Sequence, residues 1–457
     1  MTVNSNFSII KTRKFRKVVL LMQKNKSFLA FVIPSLLGFA LSGIYTIVDG
    51  FFIGQCLGDN GLAATSLGFP ISSFIQSVGT GLGLAGAIHF AILQAQNEHE
   101  KEKECFTSST ILMLIFSVAL TVILYLITEP LIHLLGAEGE IYSMTVDYVH
   151  VIVYGTIFQL LATGLVPFIR NMGGATYAMV SMILGFVMNI ILDYLFVWVL
   201  PWGMKGGAAA TVLGQATTMF LAIAFFIHKK YKLKFSSIKE MLKLWANNIK
   251  VSLSPFGMSF SQQLTLLIMN KFLLMYGDSK QVAIYGCIDY ILSIVYFLIQ
   301  GVGDGSQPLI SDCYGKGDKQ GAKSTRKKAY LLAESITFAC LVIVFIFRNK
   351  IGVLFGASEE SNIGVAYYLP WFLATIMLLC FSRITTTYFY ASEKTAFSYV
   401  LVYGESVGTL LMLFILPLGL KLTGVWLSMP VAQFVVFVIA LVLKRLTDKN
   451  IVNSQNH

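Results

Sequence analysis

Long apolar stretches broken by short polar and basic segments run through nearly all of the 457-residue chain. About 20 apolar residues suffice for a helix to cross the hydrocarbon core of a bilayer. Twelve stretches meet that length: 28–54, 62–93, 106–128, 144–168, 177–200, 206–228, 249–276, 282–311, 329–347, 364–389, 396–419 and 423–443. The pattern predicts an all-α integral membrane protein with twelve transmembrane helices, and the even number puts both termini on one side. Gly79, Gly81, Gly83 and Gly86 lie inside the second stretch. They lack the strand–turn–helix setting that a phosphate loop needs, so they predict close helix packing.

The two halves match at a nearly constant offset, the sign of an internal repeat. Gly58-Asp59 recurs as Gly277-Asp278, Ala64 as Ala283, Ile75 as Ile294 and Gly86 as Gly305; Gly136-Ala137 recurs as Gly356-Ala357, and Gly206 and Gln215 as Gly424 and Gln433. Six helices per unit is an even number, so the second unit starts on the same side as the first and the two are parallel repeats. The expected organisation is an N-terminal segment 1–27, a first bundle or N-lobe 28–228, a basic linker 229–248, a second bundle or C-lobe 249–445 and a tail 446–457. Leu242, Leu244 and Trp245 stand among lysines in the linker. That fits either a short amphipathic helix on the leaflet or a solvated connection.

Composition narrows the class. Only 12% of residues are charged and 56% are hydrophobic, against roughly 25% charged in soluble domains. The net charge of +11 does not argue for nucleic acid, because the basic residues sit in short loops rather than along one soluble face. Of the 34 Lys and Arg, 27 fall on the side of the termini, five on the other, and Lys271 and Arg383 within helices. By the positive-inside rule the termini are cytoplasmic. The first apolar stretch is too long, and lacks the small-residue site, for a cleaved signal peptide. Six scattered cysteines give neither a disulfide framework nor a metal site.

Two acids stand out, Asp49 in the first stretch and Asp193 in the fifth. A carboxylate in hydrocarbon costs on the order of 3 kcal/mol, so such acids usually face a protein interior or a wet cavity. Counting about 1.5 Å per residue from the ends of their helices, Asp49, Asp193 and Thr211 lie roughly 8 to 12 Å below the extracellular boundary. Asn189 is one turn before Asp193 on the same face. Taken singly, each acid could simply tie helix ends together, or mark a local bend at Asp49-Gly50. Four oxygen-bearing residues at matched depth favour a cation site instead, where two carboxyls would share a proton or ligate Na⁺.

Other positions carry two readings each. Pro34 permits a kink in the first helix, as a static bend or a hinge. Tyr45 and Met182 share faces with the site residues, as a lining for amphipathic ligands or as plain packing. By the repeat offset, Asp49 and Asp193 correspond to Ile268 and approximately Thr409, so the second half does not copy the acids. It has its own polar set, Asp289, Asp304, Arg383 and Glu405, read as structural ion pairs or as cavity lining.

At these residues the chain resembles the multidrug and toxic compound extrusion (MATE) family, over its whole length. The likeness rests on the two parallel repeats, on Val48-Asp49-Gly50-Phe51-Phe52-Ile53-Gly54, on Leu62-Ala63-Ala64-Thr65-Ser66-Leu67-Gly68-Phe69-Pro70, on Asn189 and Asp193 four apart, and on Gly305-Ser306-Gln307-Pro308-Leu309-Ile310. The resemblance implies alternating-access efflux of amphipathic, often cationic, organic compounds in exchange for H⁺ or Na⁺. It implies that Asp49, Asn189, Asp193 and Thr211 bind the coupling cation, that Tyr45 and Met182 line the substrate cavity, and that Pro34 is linked to bending of the first helix. The acids that another branch carries in helices 7 and 10 are missing here, which argues against a C-lobe cation site of that kind.

A lipid-linked oligosaccharide flippase is the alternative transport reading, and would need a strongly cationic cavity. An enzyme is not expected, since the six histidines form no H-E-x-x-H or comparable set. No cofactor and no nucleic-acid partner are expected, only the bilayer and small organic substrates, in a plasma-membrane protein sufficient as a monomer.

Overall fold

A computed structural model describes residues 4–354 and 358–453, with side chains over 28–352 and 358–449 apart from Thr46. The repeat pair Gly136-Ala137 and Gly356-Ala357 lies partly outside the described residues, as does the end of the tail. Among the described residues every regular element is a helix, and each of the twelve apolar stretches falls on one.

Helices α1 (4–57) and α2 (59–95) follow each other within Asn4–Ala95 and part at Gly58, whose φ of +62° suits a residue without a Cβ. Next come α3 (His99–Leu134) and α4, whose two arms Gly139–Tyr154 and Thr156–Asn171 meet at 54°. Then α5 (Ala175–Val199) and α6 (Gly203–His228) complete the first bundle. The second bundle has α7 (Ile238–Tyr276), α8 (Ser279–Gly315), α9 (Lys319–Leu354) and α10 (Glu359–Ala391). Its last helices, α11 (395–420) and α12 (422–453), share Thr395–Asn453 and part at Lys421. Helix α7 starts well before its apolar stretch, so the second half of the linker is helical.

The bundles pack together at the end that carries the linker. Phe28 and Val32 of α1 are buried in a core with α7, α8, α9 and α10 of the second bundle. Leu84, Ala85, Ile88 and Ile92 of α2 join Val251, Ile310, Tyr388 and Val402. At Gly305 of α8 an added Cβ would stand 2.6 Å from the Cα of Val32, so small residues let the two bundles meet backbone to backbone. Along the other half of α1, Ile44, Ile47 and Phe51 are exposed. The bundles are closed on each other at the linker end.

Candidate functional site

Helix α5 changes geometry at the site. Its α-helical part ends at Asp193, and Tyr194–Val199 is a π-helical turn, a widening that recurs at functional positions. Asp193 is fully buried and Asn189 nearly so. Close approach to α6 fixes them: a Cβ on Gly185 would stand 2.1 Å from Thr218 Oγ1 and 2.8 Å from the Gly214 carbonyl, and one on Gly214 would stand 2.9 Å from Asn189 Cβ. The two helices touch there only because both positions are glycine.

The structure brings the acids of α1 and α5 together. The carboxyls of Asp49 and Asp193 come within hydrogen-bonding reach of each other, and Asn189 reaches Asp193. Two ionised carboxyls are both acceptors, so no hydrogen bond joins them without a shared proton. Asp49 Oδ1, both oxygens of Asp193 and both polar side-chain atoms of Asn189 are buried without such a bond among the described residues. Two carboxyls meeting in a buried space leave a place for one positive partner, a proton between them or a small cation on their oxygens.

Beside this pair lies a narrow, partly open cleft lined by Tyr45, Phe186, Asn189, Thr211, Gln215 and Thr218 among others. Tyr45 stacks on Phe186 with ring centroids 4.7 Å apart. Of the cavity residues expected from the sequence, Tyr45 therefore stands in the cleft beside Asn189 and Thr211. Met182 instead packs against α1, where a Cβ on Gly38 would stand 3.4 Å from its sulfur. Pro34 is buried within α1, which stays helical through it. The depth argument missed Tyr148 of α4, which is buried within electrostatic reach of Asp49, Tyr45 and Asp193.

The second bundle holds a separate small chamber lined by Gln262, Thr265, Tyr285, Asp289, Tyr296, Arg383, Glu405 and Met429. Arg383 pairs with Glu405 at 3.2 Å, donates to the Met258 carbonyl at 2.7 Å and lies over the Tyr296 ring. Asp289 has no cation within ion-pair distance among the described residues. Asp304 stands apart from this set. It forms a buried ion pair with Arg170 of α4 at 3.2 Å, which joins the two bundles, and next to it Asn171 donates to Gln307. Arg170 also lies over the Phe39 ring of α1. Counted as a loop charge in the sequence, Arg170 proves to be a buried residue of the lobe interface.

A family model described as MatE matches the chain twice, over residues 34–195 and 256–415. The chain is 26% identical over 421 residues to the multidrug export protein MepA of Staphylococcus saprophyticus, covering 92% of this chain and 93% of that protein. It is 24% identical to MepA of Staphylococcus aureus, covering 89% and 90%. Among solved structures it resembles one titled as MATE in complex with MaL6, with TM-score 0.85, 24% identity and coverage of 92% and 95%. It equally resembles one titled as the outward-facing conformation of a multidrug resistance MATE family transporter, with TM-score 0.85, 23% identity and coverage of 92% and 95%.

Proposed function

The chain belongs to the MatE family, whose model covers both bundles, and on that footing we propose that it is a secondary active multidrug efflux antiporter. It exports amphipathic, often cationic, organic compounds in exchange for H⁺ or Na⁺, and it is a carrier rather than an enzyme. The relatives it matches along nearly their whole length are named as multidrug exporters. The basic residues assign the linker end to the cytoplasm, so both termini lie inside; like the bacterial exporters it matches, the protein is placed in the plasma membrane.

One observation carries the mechanism: carboxyls from α1 and α5 share a buried space with Asn189, beside a cleft that Thr211 and Tyr45 line. A cation entering from outside settles between Asp49 and Asp193 and stabilises one arrangement of α1 against α5. An outgoing organic cation in the adjoining cleft prefers the arrangement without it, and two ligands that favour different states exclude each other. Asn189 orients Asp193, and Thr211 supplies a neutral oxygen to the same cleft. The Arg170–Asp304 pair ties the two lobes together on the cytoplasmic side.

The flippase reading needs a cationic cavity. The buried arginines among the described residues are already taken up, Arg170 by Asp304, Arg383 by Glu405 and Arg326 by Asp448.

The test is drug efflux from proteoliposomes under an imposed pH or Na⁺ gradient, with wild type, Asp49→Asn and Asp193→Asn. Both variants should lose gradient-driven transport while still binding drug; transport that survives in both refutes the proposal. Substrate-induced proton release, with and without Na⁺, identifies the ion.

A further inference from the structure

The linker helix presents a face that the transport reading leaves unused. Ser237 caps it by accepting from the Glu240 backbone N–H, and its hydroxyl donates to the Glu240 carboxylate, an N-cap that starts the helix sharply. From there α7 runs unbroken for 39 residues, about 58 Å, beyond the roughly 40 to 45 Å of a whole bilayer. The apolar stretch 249–276 is long enough for the hydrocarbon core, so the turns 238–248 that precede it emerge through the headgroup layer.

One side of this segment is strapped to the first bundle. Trp245 Nε1 donates to the Ser108 carbonyl at 2.9 Å and Asn248 to Ser109 Oγ at 2.9 Å, while Asn247 meets the His89 ring. Just before the helix, Lys234 lies between Glu104 and Glu100 at 2.9 and 3.1 Å, contacts that push its ammonium pKa above the usual lysine value.

The other side is bare. Ile238, Leu242, Ile249 and Leu253 are exposed at helical spacing, continuing the lipid-facing stripe of α7 out of the membrane core. Lys239, Lys243 and Lys250 stand about a quarter-turn around from that stripe, also exposed and without an acid within ion-pair distance among the described residues. Exposed Lys229, Lys230 and Lys232 precede them. An apolar stripe flanked by cations, at headgroup depth, is complementary to one surface, an anionic leaflet.

We propose that 229–250 is a binding site for anionic phospholipid headgroups, with Lys239, Lys243 and Lys250 holding phosphates while Ile238 and Leu242 lie among the upper acyl carbons. The assignment rests on the reading above that this end of the protein is cytoplasmic. Because the same helix ties α3 to the second bundle, bound lipid steadies that tie.

The experiment uses full-length protein in nanodiscs of phosphatidylcholine with increasing phosphatidylglycerol, with lipid retention read by native mass spectrometry and hydrogen exchange read over 238–247. Wild type should retain phosphatidylglycerol in preference to phosphatidylcholine, and exchange in 238–247 should slow as its fraction rises. Each Lys→Gln change should weaken binding about fivefold, and Lys239→Gln/Lys243→Gln/Lys250→Gln together on the order of 100-fold. Leu242→Asn, which keeps every charge, should weaken it less. Equal retention of the two lipids by wild type, unchanged retention in the triple variant, or displacement of the lipid by millimolar inorganic phosphate overturns the proposal. Gradient-driven efflux from purely phosphatidylcholine vesicles tests the transport reading separately, so failure of one is not failure of the other.

Discussion

Removing the carboxylate of Asp304 tests what holds the two bundles shut at the linker end. Arg170 and Asp304 are both about 95% buried or more and meet at 3.2 Å, so Asp304→Ala leaves a guanidinium in the interface with no counter-charge. Breaking one side of a buried pair typically costs about 3 to 5 kcal/mol. Asn171 and Gln307 still bridge the interface and Phe39 still faces the guanidinium, which argues for the lower end, about 3 kcal/mol. Such a loss shifts the balance between closed and open linker ends by roughly 150-fold. The assay is hydrogen exchange over 166–171 and 301–307 in detergent or nanodiscs, where Asp304→Ala should lose protection at both segments together. Arg170→Met/Asp304→Leu removes both charges and should restore most of it, because an apolar replacement for a buried pair is often neutral or stabilising. If the single variant keeps wild-type protection, or the double variant is as unprotected as the single, the reasoning from an unpaired buried charge is wrong.

Three further outcomes follow from the same geometry. Gly185→Ala puts a Cβ 2.1 Å from Thr218 Oγ1 and 2.8 Å from the Gly214 carbonyl; overpacking of this kind costs about 1 to 3 kcal/mol, and a lower Tm together with lost coupling-ion affinity checks it. Arg383→Met strands Glu405 in the C-lobe chamber and removes the donor to the Met258 carbonyl, so thermal stability should fall clearly, whereas Arg383→Met/Glu405→Met should recover much of it. Tyr148→Phe keeps the ring that fills the space beside Gly68 but removes a hydroxyl near the two acids; fold stability should stay within about 1 kcal/mol while the ion dependence of efflux shifts.

The fold was legible because hydrocarbon demands a continuous apolar helix for each crossing. That Asp49 approaches Asp193, and that Asn189 and Thr211 line one cleft, was legible because the rise of a helix lets residues of neighbouring helices be matched in height. Ion pairings across helices were not. Arg383 takes Glu405 rather than Asp289, and Asp304 takes Arg170, 134 residues away in the other bundle; side-chain direction and bundle packing decide both, and no spacing in the chain encodes them. Tyr148 escaped because a lone tyrosine on α4 has no periodic partner to mark it. The helix of the linker was half visible, since its lysines mask the apolar stripe in an average over the segment.

The two repeats share a backbone plan and differ in how charge is compensated, and the proposed coupling step rests on that difference. In the second bundle Arg383 neutralises Glu405 and leaves Asp289 as one uncompensated acid in its chamber. In the first bundle two acids meet with no basic residue within ion-pair distance of either among the described residues, and their polar neighbours, Asn189, Thr211 and Tyr148, are neutral. An entering cation therefore gains most where two negative groups already crowd each other, because it relieves their repulsion as well as forming its own contacts. Moving one acid across the pseudo-symmetry axis should move the preference with it. In an Asp49→Asn/Ile268→Asp chain the first bundle keeps one acid and the second acquires another, so ion-driven efflux fails even though the total number of intramembrane acids is unchanged; transport retained in that chain would mean that acid count, rather than the meeting of α1 with α5, sets the coupling.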